Sequence, residues 1–570
     1  MNEMALKNYQ EWLESVNVSS DDKKVLKEMN EEQIDDAFFK EIAFGTAGIR
    51  GVLGPGTNRM NDFTVKRATV GYGLYLKELY KDPIYVVISH DNRFMSREFT
   101  LLSADILNKM GINTYIFDSL RSTPELSYAV RYKKCQGGIM ITASHNPKEY
   151  NGYKVYDDSG SQLVPSKIKR LIEIIGSLGN VLDVKVPSFE NQGVNEVLGE
   201  DVDDAYCKMV ESIVINDLPN KKDFKVVFSP NHGTSYVNAM RVFNDCGYNV
   251  VPVEELCNPD PAFGGLLTPN PEDARAFIKP IDLAKEINAN LIVMTDPDGD
   301  RVGLGTKTKN GEFALMTGNE SAAILLDYIL ENKKARNEDI SKYVVYNTVV
   351  SSMLGKAVCD YHNVKLESFL TGFKYIGNRI EHYEKQENGL KFLFGYEESY
   401  GCLINDEVRD KDGTQALLLY IEMALYYHNK GMDLVEAYES LCKKVGAYYK
   451  SELFNIYFEG SEGSKKMQTI MHGLETNPFT NLLGNKVIAI ENYFKLTRTN
   501  LLTNEVVKIE NLPIGDLVKF YFEDGANISI RPSGTEPKCK FYIEVVGVEK
   551  DKAPEELKNY FEELKKVLKI

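Results

Sequence analysis

An α/β architecture, three consecutive α/β domains of similar topology followed by an α+β C-terminal domain, is predicted by three features of the sequence. Short apolar runs bounded by glycine, proline or polar residues alternate with helical patterns from Ile84 to Tyr427, the signature of βα units in open sheets. Three of these runs end in polar loops, at Ser144, Asp296 and Glu397, spaced roughly a domain apart. In the last segment the alternation gives way to several short strands and one terminal helix, an α+β pattern. The length of 570 residues fits roughly four domains at ~150 residues each. The expected boundaries are 1–205, 206–317, 318–445 and 446–570.

The elements follow in order. Residues 1–40 are polar with helical periodicity, and Ser19-Ser20-Asp21-Asp22 offers a cap before Lys23. Phe44–Gly51 is a glycine-rich loop ending in Arg50-Gly51; it lacks Gly-x-Gly-x-x-Gly spacing, and fits a phosphate-facing loop or an ordinary turn equally. Strands are expected at Ile84–Ser89, Asn113–Asp118 and Gly138–Thr142, with helices at Ser96–Met110 and Thr123–Lys134. The arrangement recurs with strands Phe224–Ser229, Tyr248–Val253 and Asn290–Met294. It recurs again with Tyr343–Asn347, Lys365–Leu370 and Lys391–Phe394, closed by an apolar helix over Gly413–Tyr427. The last segment offers strands at Asn455–Phe458, Lys486–Ile490, Val518–Phe522 and Ile528–Ile530, then a strand and a C-terminal helix.

Composition narrows the function classes. Hydrophobic content of 43% and charged content of 26% are ordinary for a globular protein. A formal net charge of −16 argues against a general nucleic-acid binder, while a local cluster of cations still suits an anionic substrate. Eight cysteines are scattered without any Cys-x-x-Cys, as expected of reduced thiols in a reducing compartment. The N-terminal stretch has no apolar signal region, and no apolar run approaches the ~18 residues of a membrane span. A cytoplasmic protein with no membrane partner is expected.

Four loops carry chemistry. Thr142-Ala-Ser144-His145-Asn146-Pro147 follows a buried strand, where open α/β sheets bind ligands; taken singly, it reads sooner as a turn with a hydroxyl cap. Asp296-Pro-Asp298-Gly-Asp300 sets three carboxylates at alternate positions, suited to one hard cation, with an acidic surface turn as the alternative. An EF-hand is excluded, because the glycine is the fourth loop residue and the twelfth is Lys307. Magnesium fits better, since Mg²⁺ combines a few carboxylates with phosphate oxygens. Glu397 and Ser399 offer the acceptor and hydroxyl groups that sugar hydroxyls need; Lys411 beyond them fits a ligand-facing lysine or a solvated helix N-terminus. Arg531-Pro-Ser533-Gly534-Thr535 fits a phosphate cradle of guanidinium, hydroxyls and backbone amides, or a plain hairpin turn.

Together these loops describe phosphoryl transfer on a sugar phosphate, and the chain resembles the α-D-phosphohexomutase superfamily, most closely its bacterial phosphoglucomutase branch. The resemblance rests on Phe44–Gly51, Thr142–Pro147 with Asn151–Lys154, Asp296–Arg301, Thr371–Gly372, Gly395–Gly401, Arg409–Gly413 and Arg531–Thr535, in family order over essentially the whole length. It implies a heart-shaped, four-domain enzyme with a central cleft, acting as a monomer or weak homodimer on small sugar phosphates. It implies a catalytic Ser144 carried as phosphoserine, with Asp296, Asp298 and Asp300 holding Mg²⁺ beside it. Arg50 and His145 would contact the reacting phosphate, with Lys154 and Lys411 completing the catalytic set. Thr46, Arg301, Thr371, Gly372, Lys374, Glu397 and Ser399 would contact substrate, and Arg531, Ser533, Gly534 and Thr535 its distal phosphate. One departure bears on specificity: mannose-tolerant relatives often carry a histidine after the Glu-x-Ser pair, where this chain has Tyr400-Gly401.

The implied reaction is interconversion of glucose 1-phosphate and glucose 6-phosphate, an isomerase-class phosphotransfer primed by glucose 1,6-bisphosphate. Phosphopentomutase, phosphomannomutase and hexose bisphosphate synthase share the chemistry and remain rivals, which a substrate panel separates. A silent binding protein of the same fold is the rival of another class. Its expected mark is loss of the serine or an aspartate, and all four residues are present.

Overall fold

The computed structural model describes residues 2–45, 48–458, 460–533 and 538–570. The chain forms two compact units: the first comprises Met1–Gly318, Lys342–Val344 and Gly372–Asp433, the second Asn319–Ser341, Val345–Thr371 and Leu434–Ile570.

In the first unit, strands β1 (Ile49–Val52), β2 (Tyr85–His90), β3 (Asn113–Phe117), β4 (Gly137–Ile141), β5 (Tyr150–Asp157) and β6 (Asn195–Leu198) form one sheet in the order β1-β5-β4-β2-β3-β6. β2 runs parallel to β3 and β4, and β3 to β6, whereas β5 is antiparallel to both β4 and β1. A second sheet repeats the plan. Strands β7 (Lys225–Ser229), β8 (Asn249–Pro252), β9 (Leu291–Thr295), β10 (Val302–Lys307) and β11 (Phe313–Met316) lie in the order β11-β10-β9-β7-β8, with β7 parallel to β8 and β9, and β10 antiparallel to β9. β4 and β9 are buried along their whole length, as strands covered on both faces should be.

Here the structure corrects the expected βα units. After β4 the serine loop leads into a further strand, as the sequence pattern over Lys148–Tyr156 predicts, but that strand returns antiparallel; after β9 the chain does not enter a helix and turns through the aspartate loop into another antiparallel strand. The third loop does the same between Lys391–Glu397 and Gly401–Leu403. The strand expected to end at Phe394 continues to Glu397, so Glu397 is a strand terminus rather than a loop residue. Asn151-Gly152 is what admits β5 beside β4. A Cβ at Gly152 would lie 2.4 Å from the Thr142 carbonyl oxygen and 2.7 Å from that of Ile49, so only glycine fits between these two chains.

Helices cover the sheets and set the loops. Asp62–Leu79 anchors β5 through Tyr72, whose hydroxyl donates to the Tyr156 carbonyl at 2.7 Å. The helix Gly413–His428 is buried from Gly413 to Leu425, and its N-cap Asp412 accepts from the Gln415 N–H at 3.0 Å. The first 40 residues form three helices, Glu3–Glu14, Ser20–Glu28 and Glu31–Phe38, capped by Asn2, Ser19 and Asn30. Their apolar faces close around Trp12, which meets Phe38 and Phe63 edge-on and shares a cluster with Val181 and Leu182.

The second unit centres on an antiparallel sheet in the order Tyr449–Tyr457, Lys538–Val546, Asn527–Pro532, Val518–Phe522, Asn485–Asn492, Thr497–Asn500, Val506–Lys508, with Asn481–Leu482 paired to Asn485–Asn492. Its first strand starts at Tyr449, earlier than expected, and the helix Gly460–Thr476 was not foreseen. The sheet grips the segment before the helix Met353–His362: Lys519 Nζ donates to the Val349 carbonyl at 2.8 Å, and the Met353 N–H donates to Glu544 Oε2 at 2.9 Å.

Candidate active site

Ser144 lies just past β4, 3% exposed, with a positive φ of 52°. For a residue with a side chain this left-handed conformation costs ~1–2 kcal/mol, so surrounding contacts must hold it. The Ser144 N–H donates to Thr142 Oγ1 at 2.8 Å, and Thr142 Oγ1 donates to Asp91 Oδ2 at 2.6 Å. The Ser144 hydroxyl donates to Asp296 Oδ2 at 2.6 Å and lies 3.1 Å from His145 Nδ1. A hydroxyl has one proton; with that proton on Asp296, the His145 ring donates from Nδ1. Burial, with Arg301 and Arg50 nearby, pushes the His145 pKa well below the ordinary value, so the ring is neutral at pH 7.

The aspartate loop divides its oxygens. Asp296 Oδ1 accepts from the N–H groups of Asp300 and Arg301 at 3.1 and 3.0 Å. Asp298 Oδ2 accepts from Lys154 Nζ at 2.9 Å and Thr123 Oγ1 at 3.1 Å, and Asp300 Oδ2 faces Lys411 Nζ at 2.8 Å. Asp298 Oδ1 and Asp300 Oδ1 are buried without a hydrogen-bond partner among the described residues. One oxygen from each of the three aspartates lies within 4.8 Å of the others. Buried carboxylate oxygens with no donor, clustered on one turn, are the donor set of a hard divalent cation; the residues fit the expected metal.

The electrostatics follow this division. Burial raises the Asp296 carboxyl well above the usual range, reinforced by Asp298 and Asp300. Burial acts on Asp298 in the same sense, but Lys154 and Lys411 outweigh it and hold that carboxyl below its ordinary value. Lys411 is buried rather than a solvated helix terminus; Asp300, Asp410 and Glu397 overcome its desolvation and raise its pKa. Its path requires Gly401, where a Cβ would come 2.2 Å from Lys411 Cδ.

Glu397, at the end of its strand, accepts from the Gly372 N–H at 2.7 Å and stands 4.0 Å from Lys411. Burial raises its pKa. Burial also lowers Lys374 to about 8, against the opposing charge of Glu397. Arg301 pairs with Glu272. Arg50, on β1, donates to Asn146 Oδ1 at 2.8 Å. Ser399 is half-buried in the turn that follows Glu397. The first unit thus carries Ser144, His145, Lys154, Arg50, Lys411, Arg301, Gly372, Lys374, Glu397, Ser399 and the three aspartates.

Thr371, Arg531 and Ser533 belong to the second unit. The Thr371 Oγ1 atom there is buried without a hydrogen-bond partner among the described residues. Arg531 pairs in register with Lys540, and the Ser533 N–H donates to the Lys538 carbonyl at 2.8 Å. Thr46, Gly534 and Thr535 lie outside the described residues. A further cluster of potential ligands in this unit, Asp327, Glu331 and His362, is filled by a cation of the chain itself: Lys444 Nζ contacts Asp327 at 2.7 Å and Glu331 at 2.6 Å.

Sequence reasoning missed Asp91 and Arg93. Both follow β2, the parallel neighbour of β4, and a polar run Ser89-His90-Asp91-Asn92-Arg93 at the carboxyl end of such a strand is the signal that was there to find. All eight cysteines are free, seven of them buried and Cys246 half-buried. Among the described residues, no helix is long and apolar enough to cross a membrane.

Comparison with known proteins agrees with this geometry. Phosphoglucomutase/phosphomannomutase profiles match residues 41–180, 204–311 and 317–445 as α/β/α domains I, II and III, and 489–564 as the C-terminal domain. A phosphoglucomutase of Staphylococcus epidermidis is 39% identical over 505 residues, 88% of this chain and 90% of that one. The phosphoglucomutase of Staphylococcus aureus strain USA300 is 36% identical over 538 residues, covering 93% and 94% of the two chains. Among solved structures, a phosphoglucomutase/phosphomannomutase family protein from Burkholderia thailandensis superposes with a TM-score of 0.65 at 18% identity, covering 93% of this chain and 98% of that one. Pp63/parafusin, a phosphoglucomutase of Paramecium, gives 0.65 at 20% identity, covering 92% and 94%. With three α/β domains, a C-terminal domain and matches over most of its length, the chain belongs to the phosphoglucomutase/phosphomannomutase family.

Proposed function

We propose that this chain is a phosphoglucomutase that interconverts glucose 1-phosphate and glucose 6-phosphate through a phosphorylated Ser144 and a glucose 1,6-bisphosphate intermediate. The observation that carries the reading is the Ser144 hydroxyl, held at 2.6 Å on Asp296 beside two aspartate oxygens that have no donor among the described residues. In the resting cycle phosphoserine 144 gives its phosphoryl group to the free hydroxyl of the sugar; the bisphosphate turns over, and its other phosphoryl group returns to Ser144. When Ser144 accepts a phosphoryl group, its proton leaves toward Asp296 Oδ2, the acceptor it already faces. His145, neutral and donating from Nδ1, orients the serine oxygen. Arg50 and Arg301 counter the charge on the transferring oxygens, and Lys154 exchanges the proton of the sugar hydroxyl. Asp296, Asp298 and Asp300 would hold Mg²⁺, which supplies neutralisation of charge on the transferring phosphoryl group.

Glu397, Ser399, Gly372 and Thr371 read the sugar hydroxyls, with Lys374 and Lys411 adding cations beside them, while Arg531 and Ser533 grip the phosphate that does not react. Two phosphate grips are what a mutase needs and a simple phosphatase does not. Eight free thiols fit work in the cytoplasm.

The deciding experiment concerns priming. Protein stripped of phosphate cannot start a cycle from a monophosphate, since neither partner has a phosphoryl group to give. It should be inactive with glucose 1-phosphate alone and be rescued by catalytic glucose 1,6-bisphosphate, with one phosphate gained at Ser144 by intact mass and peptide mapping. Full activity of verified dephospho-protein without bisphosphate would overturn the cycle. Faster turnover of mannose or pentose 1-phosphate than of glucose 1-phosphate would move the substrate assignment alone.

A further inference from the structure

We infer that Arg93 is a positioning residue for phosphoryl transfer, holding the Ser144 backbone in its left-handed conformation by collecting the carbonyls of the serine loop on one guanidinium. Arg93 is 3% exposed. One terminal nitrogen donates to the carbonyl oxygens of Ser144 at 2.5 Å and Asn146 at 2.6 Å. The other donates to those of Pro147 at 2.8 Å and Tyr150 at 3.0 Å. Four carbonyl dipoles converging on one point repel each other, and a buried cation removes that repulsion. Only a planar fork reaches four acceptors in this way; a lysine presents a point charge with three donors.

The fork is itself held in place. Arg93 Nε lies 3.3 Å from Asp91 Oδ2, the oxygen that also accepts from Thr142 Oγ1, and Ser96 Oγ donates to Asp91 Oδ1 at 3.0 Å. Thr142 Oγ1 in turn accepts the Ser144 N–H. The Ser144 peptide is therefore fixed from both sides, its N–H through Thr142 and Asp91, its carbonyl through Arg93. On the outer side the guanidinium lies 5.3 Å from the Phe263 ring. That ring sits in a loop held by His232, whose Nδ1 and Nε2 lie 2.8 and 2.9 Å from the carbonyls of Asn258 and Gly264. With φ at 52°, a small rotation of the Ser144 peptide would swing Oγ away from Asp296, and ~1 Å of misplacement is enough to slow a transfer ~10²-fold.

The inference rests on Ser144 being the phosphoryl acceptor, so wild-type protein is the control. Dephospho-protein is mixed with glucose 1,6-bisphosphate, and phosphate gain at Ser144 is followed by rapid quench and intact mass. Arg93→Lys should fold cooperatively and bind Mn²⁺ at the aspartates as wild type does, yet acquire phosphate ~10²-fold more slowly, with KM unchanged. In Arg93→Ala, millimolar guanidinium should restore part of the rate while leaving wild type unaffected. A wild-type rate in Arg93→Lys would overturn the inference, as would a rate loss matched by equal loss of Mn²⁺ affinity, the mark of general collapse. If both variants fail to fold, Thr142→Val decides: it cuts only the link from Asp91 to the Ser144 N–H, and a wild-type rate there refutes the positioning role. Wild-type protein that gains no phosphate at Ser144 would instead sink the proposed function, and this inference with it.

Discussion

At the scale of single residues, burial decides which groups can work as cations. Lys374 is desolvated to a pKa of about 8, with Glu397 opposing the shift, whereas Lys411 is raised by three carboxylates. A lysine lowered in this way is charged below pH about 8 and neutral above it, so any attraction it offers an anionic substrate is present at neutral pH and lost as pH rises. In kcat/KM, which reports the free enzyme, activity with glucose 1-phosphate should fall above pH about 8. Lys374→Arg keeps its charge at every accessible pH, and should flatten that limb of the profile. An alkaline limb that persists unchanged in the variant would assign the titration to another group. Of the candidate site residues, the three aspartates were legible as a group, because residues two apart on one turn bring their carboxylates together. For Arg93 the polar run after β2 marks only a candidate; its partners were not legible, because its four acceptors lie more than 50 positions along the chain.

At the scale of elements, apolar period and capping were sufficient for β2, β3, β4, β7, β8 and β9 and for the helices Ser96–Lys109, Thr123–Tyr132 and Gly413–His428, with ends displaced by a residue or two, but not for β1, β6, β10, β11 or the helices Asp62–Leu79, Pro165–Ser177 and Glu200–Glu211. The direction of the chain after each functional loop was not legible, since periodicity tells that a strand follows but not whether it returns antiparallel. The helix Gly460–Thr476 was missed for the opposite reason: its first turns are rich in glycine, serine and lysine, which read as loop. The return hairpin between Glu397 and Gly401 has a functional consequence that can be tested. A methyl group at Gly401 would overlap the Lys411 stem, displacing the ammonium from Asp300 and Glu397. Gly401→Ala should therefore lower kcat by ~10²-fold, while overpacking costs only ~1–3 kcal/mol of stability. Steady-state kinetics beside thermal melts would separate the two effects, and a variant with wild-type kcat would show that Lys411 is not needed where the structure holds it.

At the scale of the whole molecule, two compact units imply that unfolding need not be a single transition, and the sequence supplies a reporter for one of them. The chain has one tryptophan, Trp12. It is buried in the first unit against Phe63 of the helix Asp62–Leu79, whose Tyr72 is tied to β5, the strand that carries Lys154. Trp12 emission should therefore follow loss of the same unit that carries Asp296, Asp298 and Asp300. Any ion bound by the native unit and not by the unfolded chain adds RT ln(1 + [L]/Kd), about 2.7 kcal/mol at a hundredfold excess over Kd. Mg²⁺ should thus move the Trp12 transition to higher denaturant, and far-UV circular dichroism, which senses both units, should broaden or split as it does so. In Asp298→Asn the carboxylate charge that offsets the ion is gone, so the Mg²⁺-dependent shift should shrink sharply even if the metal-free midpoint is kept. A Trp12 midpoint indifferent to Mg²⁺ in the wild-type protein would rule out the aspartate loop as its binding site, whatever the enzyme's activity proved to be.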